Sequence, residues 1–177
     1  MLNGERVGLR ARQESDMPVL HAELYDDIPT RARASDRPWR PVAPGPGSPF
    51  AVVDQGESVD RFAVVELSTG ELAGAASVWG LDSHNRLAHL GLSLRPAFRG
   101  RGLGTDVVRV LCEYGFRVRG LRRLQVDTLA DNEAMIKAAV AVGFIVEGTL
   151  RQSAWVHGDI LDEMVLGLLA EEWRAVA

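Results

Sequence analysis

Between Arg6 and Ala11 apolar and polar side chains alternate, and a period of two predicts a strand. Ser15 or Asp16 stands where a helix cap is expected ahead of Leu20 and Leu24, and Pro18 is tolerated in a first turn. The stretch 26–50 carries Pro29, Pro38, Pro41, Pro44, Pro46 and Pro49 with Trp39 and Phe50. One or two short helices are expected near 28–37, and Pro44 to Pro49 can continue neither a helix nor a central strand. This segment reads either as a surface connection or as a flap facing a substrate. Arg61–Leu67 and Glu71–Trp79 predict two strands joined by the turn Ser68-Thr69-Gly70. A second turn near Ser83-His84-Asn85 leads to the apolar run Leu87–Leu94, which Pro96 ends.

A helix is expected from about Gly102, with an apolar face at Leu103, Val107, Val110, Leu111, Tyr114 and Val118, and Gly120 stops it. Leu124–Leu129 predicts a strand, and Asp131 or Asn132 caps a helix over about 133–141. Gly143–Arg151 and Asp159–Leu168 predict a closing hairpin across Val156-His157-Gly158. The expected fold is α/β (α+β): one domain over 1–177, with a mixed, mostly antiparallel sheet of about seven strands flanked by helices.

The composition changes little in that picture and removes several functions. Hydrophobic residues make up 46% and charged residues 25% of 177 residues, enough for a sizeable core. The net charge of −4 argues against bulk nucleic acid as a partner. No apolar run approaches the roughly 20 residues that span a bilayer, and the amino terminus lacks a signal pattern, so a cytoplasmic location is expected. The single cysteine, Cys112, excludes an intrachain disulfide and reads as a small buried side chain rather than a nucleophile. No His, Cys and Asp cluster has metal-ligand spacing.

The densest chemistry lies at Arg99-Gly100-Arg101-Gly102-Leu103-Gly104, between the strand 87–94 and the following helix. Glycines let backbone N–H groups approach a phosphate with no Cβ in the way, and a helix start adds unpaired donors and a positive dipole end. Three lookalikes fit worse. A dinucleotide fingerprint needs a different final glycine spacing, a P-loop needs Gly-Lys-Ser/Thr, and a plain tight turn needs one glycine rather than three with two arginines.

The six residues resemble the Arg/Gln-x-x-Gly-x-Gly/Ala signature of the GCN5-related N-acetyltransferases. Asn132-Glu133 with Gly143-Phe144, then Glu147 to Arg151 and Leu166 to Leu169, resemble further elements of the ribosomal-protein N-terminal acetyltransferase branch, the RimJ/RimL type. The resemblance covers most of the chain and is strongest over 87–169.

It implies a GNAT-like fold and transfer of an acetyl group from acetyl-coenzyme A to a primary amine by direct attack in a ternary complex, with no metal. The amine could belong to a protein N-terminus, a polyamine, an antibiotic or a small metabolite. The resemblance implies that the amides of Gly100, Arg101, Gly102, Leu103, Gly104 and Thr105 hold the pyrophosphate, with charge from Arg99 or Arg101. The pantetheine arm is expected beside Leu92, Ser93 and Leu94, which requires the strands 87–94 and 124–129 to splay. A backbone N–H near Leu90 to Leu92 could polarise the thioester carbonyl, and Asn132 falls on the family's cofactor-contacting asparagine.

Relatives often carry glutamate where this chain has His89, which makes His89 the candidate base. The usual thiolate-protonating tyrosine falls on Ala139. Glu66, Asp82, His84, Asp127 and Tyr25 are reserve candidates for acid–base work; Trp79 and Trp155 read as packing or cleft lining, and His157 as a solvated turn residue. Two alternatives stay open: a non-catalytic acyl-coenzyme A-binding module, and a transferase using a larger donor such as succinyl-coenzyme A. A homodimer is allowed for; a nucleic-acid or membrane partner is not expected.

Overall fold

The computed structural model describes residues 1–53 and 56–176. In chain order the elements are β1 (Leu2–Asn3), β2 (Val7–Arg10), α1 (Asp16–Leu24), α2 (Ile28–Arg33), β3 (Val59–Glu66), β4 (Leu72–Asp82) and β5 (Leu87–Leu94). A 3-10 turn at Pro96–Phe98 leads to α3 (Leu103–Glu113), then β6 (Arg123–Leu129), α4 (Glu133–Val142), β7 (Ile145–Val156), β8 (Asp159–Leu169) and α5 (Ala170–Val176). The strands form one sheet of eight in the order β1-β2-β3-β4-β5-β6-β8-β7. Eight replaces the expected seven because Leu2–Asn3 pairs back onto Gly8 and Leu9 as a short extra strand. The helix α5 was not expected either. Among the described residues no helix is long and apolar enough to cross a membrane.

Every neighbouring pair is antiparallel except β5 and β6. Those two are parallel because α3 carries the chain from the end of one back to the start of the other. Their pairing is brief: Leu87, Ala88 and His89 lie against Arg123, Leu124 and Gln125. Beyond His89 they part, so the sheet is forked toward the carboxyl ends of both strands. The glycine loop follows one prong and the cap of α4 follows the other. Ligands of open α/β sheets bind at such a change of strand direction.

Alternate side chains divide the sheet into two faces. On one, Ala76, Val78, Ala88, Leu90, Leu124, Val126, Leu166 and Leu168 join Leu103, Val107, Val110 and Leu111 of α3 in the main core. Each fully buried aliphatic side chain there contributes about 1.5–3 kcal/mol. The other face carries Ala75 against Leu20, Leu24, Tyr25 and Phe50. Thus α1 and part of the proline-rich segment cover it over β4.

His21 ties that segment down. It is fully buried, with Nδ1 2.7 Å from the Ser48 hydroxyl and Nε2 3.0 Å from the Val42 carbonyl.

Two local expectations change. The apolar face of α3 does not run to Val118: the helix widens to a π-turn over Tyr114–Val118, and Val118 is exposed. The turn brings Gly115 against Leu124, where a Cβ would lie 3.0 Å from that side chain. Ser15 precedes α1 without a capping hydrogen bond. Asp16 instead accepts from the Gln13 N–H at 2.7 Å and pairs with Arg10.

Candidate active site

The glycine loop is built by two left-handed residues, Gly100 at φ 68° and Gly102 at φ 75°, the latter at the N-cap of α3. An L side chain resists that conformation, so glycine is required there by the backbone. No side chain caps α3, and the N–H groups from Gly100 to Thr105 find no partner among the described residues. A Cβ at Gly100 or Gly104 would meet nothing within 4 Å, so both glycines face open space. The result is a row of unpaired donors at the positive end of an 11-residue helix, open in front.

The flanking arginines diverge. Arg99 donates from Nε to the Leu94 carbonyl at 2.9 Å and keeps both Nη groups without a partner among the described residues. Arg101 is turned to the buried Glu66 carboxylate, lies over the Phe98 ring, and offers its own carbonyl to Arg6. Of the two, Arg99 retains charge for a ligand.

Asp106, in the first turn of α3, anchors the loop from behind. Its buried carboxylate accepts from the N–H groups of Arg6 at 2.8 Å and Val7 at 3.0 Å. Sequence reading missed this residue, and no local pattern ties it to a partner a hundred positions away.

The fork exposes backbone. Arg95 N–H donates to the Ala73 carbonyl at 2.9 Å, which places the hydrogen-bonding sides of Ser93, Gly91 and His89 against β4. Leu90, Leu92 and Leu94 therefore turn their N–H and C=O groups the other way. At Leu92 no strand among the described residues lies alongside to receive them, while the Leu94 carbonyl takes the Arg99 bond. Leu92 thus offers a free strand edge in front of the glycine loop.

His89 is the last residue of β5 still paired with β6, at the vertex of the fork. Its Nδ1 lies 2.5 Å from Asp127 Oδ2 on the opposite prong. Gln125 donates from Nε2 to the other carboxylate oxygen at 2.7 Å. Burial alone would push the Asp127 carboxyl up, but the hydrogen bonds from His89 and Gln125 outweigh it and hold it below the usual value. Trp79 stacks on the imidazole at 4.3 Å between ring centres. Gly80, left-handed at φ 60°, leaves the room the ring occupies: a Cβ there would lie 3.0 Å from His89 Cδ2. Nε2 of His89 has no partner among the described residues and is open to solvent.

The remaining candidates are placed elsewhere. Glu66 is spent on Arg101, Asp82 on the turn at Asn85, and the Tyr25 hydroxyl on the Arg40 carbonyl. His84 sits in the exposed turn after β4. Of the reserve set, Asp127 is the one that touches His89. Asn132 caps α4 by accepting from the Met135 N–H at 3.3 Å and donates to Thr128.

Ala139 is fully buried in the main core. The other tyrosine, Tyr114, bonds Asp60, and burial with that bond pushes its hydroxyl up to about 12. No tyrosine is therefore directed at the fork. Burial pushes the Cys112 thiol up as well, which suits an inert core residue. Trp155 stands exposed on β7, whereas Trp79 belongs to the site. No group of side chains among the described residues could hold a metal ion.

A forked mixed sheet with a glycine-lined helix start at the fork defines the class of protein with room and free backbone donors for an extended, phosphate-bearing carrier. The comparisons agree in kind. The acetyltransferase (GNAT) domain family model matches residues 6–145, and the chain belongs to that family of N-acetyltransferases.

The provisionally assigned ribosomal N-acetyltransferase YdaF of Bacillus subtilis (strain 168) is 33% identical over 108 residues, 61% of this chain and 59% of that protein. The uncharacterized N-acetyltransferase p20 of Bacillus licheniformis is 26% identical over 172 residues, 96% of each chain. The crystal structure of spermidine N-acetyltransferase from Vibrio cholerae in complex with CoA and spermine superposes with a TM-score of 0.77. It covers 96% of this chain and 98% of that one, at 16% identity, a likeness of fold.

Proposed function

We propose that the chain transfers the acetyl group of acetyl-coenzyme A to a primary amine, with His89 as the general base. The observation that carries the reading is the solvent-open Nε2 of His89 at the vertex of the fork, beside a free strand edge.

The residues present suit the donor. The N–H groups of Gly100 to Thr105 would hold its pyrophosphate in the open space before Gly100 and Gly104. An Arg99 Nη group would add a charged contact. The backbone of Leu92 would pair with the pantetheine amides as an added strand does, with Leu94 and Ser93 beside it. Asn132, the cap of α4 after the opposite prong, would contact the same arm.

In the reaction the amine nitrogen forms a bond to the acyl carbon and the carbon–sulfur bond breaks, its electrons leaving on sulfur. The nitrogen's proton passes to Nε2 of His89. With alanine at 139 and no tyrosine at the fork, the departing thiolate takes its proton from water. The acceptor enters over the face that carries His89 and Trp79.

Thiol release from acetyl-coenzyme A with a panel of primary amines tests the reading. His89→Ala is expected to lower kcat by about 100-fold or more while leaving donor affinity unchanged. Wild-type turnover in the folded variant contradicts it.

Ala139 favours a second reading, a module that binds acyl-coenzyme A without turning it over. Calorimetric binding of the donor with no thiol release for any amine would support that module instead.

A further inference from the structure

We infer that Asp127 is a positioning residue for His89: it fixes the imidazole with its proton on Nδ1 and leaves Nε2 bare toward solvent. The inference rests on the reading of His89 as the base and adds the device that makes the residue competent.

An ionised carboxylate only accepts hydrogen bonds. Across 2.5 Å the shared proton must therefore come from Nδ1 of His89. A neutral imidazole then has its lone pair on Nε2, the nitrogen that meets solvent.

Three features make the carboxylate a fixed reference rather than a chance neighbour. Gln125 holds the second oxygen at 2.7 Å, so the group cannot rotate away. Asp127 stays in the ladder with β8, opposite Val165, where β5 has already parted from β6. Trp79 closes one face of the ring, and the missing side chain at Gly80 admits its edge. The result is an imidazole held by both prongs at the point where they separate.

During transfer the attacking nitrogen's proton is taken by Nε2, the Nδ1 proton stays where it is, and Asp127 remains ionised while stabilising the imidazolium. This is the orienting role a buried carboxylate plays toward histidine in other acyl-transfer enzymes, where a carboxamide in its place favours the wrong tautomer.

Imidazole nitrogen NMR on the full chain, with His89 assigned through His89→Gln, reads the tautomer directly. Thiol-release kinetics on the same samples read turnover. In wild type the Nδ1-protonated tautomer should dominate the neutral imidazole. Asp127→Asn, which can offer an amide N–H to Nδ1, should shift the population toward the Nε2-protonated form. It should also lower kcat by at least about 10-fold with the KM for acetyl-coenzyme A unchanged. Asp127→Glu should recover part of both. Gln125→Leu, which leaves the His89 contact in place, should give a smaller change of the same sign and serves if Asp127→Asn does not fold.

A tautomer that ignores the Asp127 substitutions overturns the inference, as does a shifted tautomer with unaltered kcat. The base reading fails separately, on wild-type turnover by His89→Ala, and the tautomer measurement still decides the role of Asp127.

Discussion

Two glycines two residues apart should respond to the same substitution with opposite signs. Gly102 is the N-cap of α3 at φ 75°, and a Cβ there would also lie 3.4 Å from the Arg6 guanidinium. Gly102→Ala therefore forces an L side chain into a left-handed backbone, at a cost of about 1–2 kcal/mol. Gly104 lies inside the first turn of α3 with ordinary φ, and a Cβ there meets nothing within 4 Å. Gly104→Ala removes unfolded-state freedom without a clash and should stabilise by about 0.4–1 kcal/mol.

For a chain of this length each kcal/mol moves Tm by about 2–4 °C, so the two variants should melt on opposite sides of wild type. The strain at 102 is relieved only by rotating the N–H groups of the loop out of their common direction. Loss of one charge-assisted hydrogen bond of about 1.5–3 kcal/mol then weakens donor binding by roughly 10- to 150-fold. Differential scanning calorimetry and isothermal titration with acetyl-coenzyme A, on both variants, give the four numbers needed. A Gly102→Ala protein as stable and as tightly binding as wild type would refute the account of the loop, and so would a Gly104→Ala protein destabilised by more than about 1 kcal/mol.

Asp106→Ala strips the half-buried N–H of Arg6 and the buried N–H of Val7 of their acceptor and should cost about 2–4 kcal/mol in urea unfolding, whereas a loss under about 1 kcal/mol would show that water replaces the carboxylate. Acid stability should carry the mark of Asp16. Burial opposes its ionisation, but the Arg10 side chain and the Gln13 N–H outweigh that and hold its carboxyl below the ordinary 3.8. A group depressed in the folded state adds stability that is fully present above about pH 4 and is lost as pH falls through the folded value. Asp16→Asn should therefore flatten the unfolding free energy against pH below about 4, and an unchanged acid limb would contradict the assignment.

The sheet was readable from periodicity because its signals are local. Leu87–Leu94 emerges with the bounds its apolar run suggests, and Pro96 begins the turn that ends it. The π-turn after Glu113 was not readable, because helical spacing continues through Tyr114 and Val118 and only the approach of Leu124 to Gly115 reveals the change. The short strand Leu2–Asn3 and the helix α5 are set by what they pack against rather than by their own pattern.

At the site, the loop's glycines stand contiguous in the chain and announce themselves. The pairing of Asp127 with His89 spans 38 positions and depends on where β5 leaves β6, a matter of register that composition does not carry. The same holds for Arg101, whose sequence position suggests a phosphate and whose side chain is drawn to Glu66, 35 positions away.

A crystal structure of the chain with coenzyme A and an unreactive amine tests the central claim most directly. The account predicts the diphosphate on the N–H groups of Gly100 to Thr105, the pantetheine arm against Leu92, and the sulfur inside the fork within reach of His89 Nε2. A ligand seated elsewhere on the chain, or a sulfur on the far side of the sheet from His89, would contradict it.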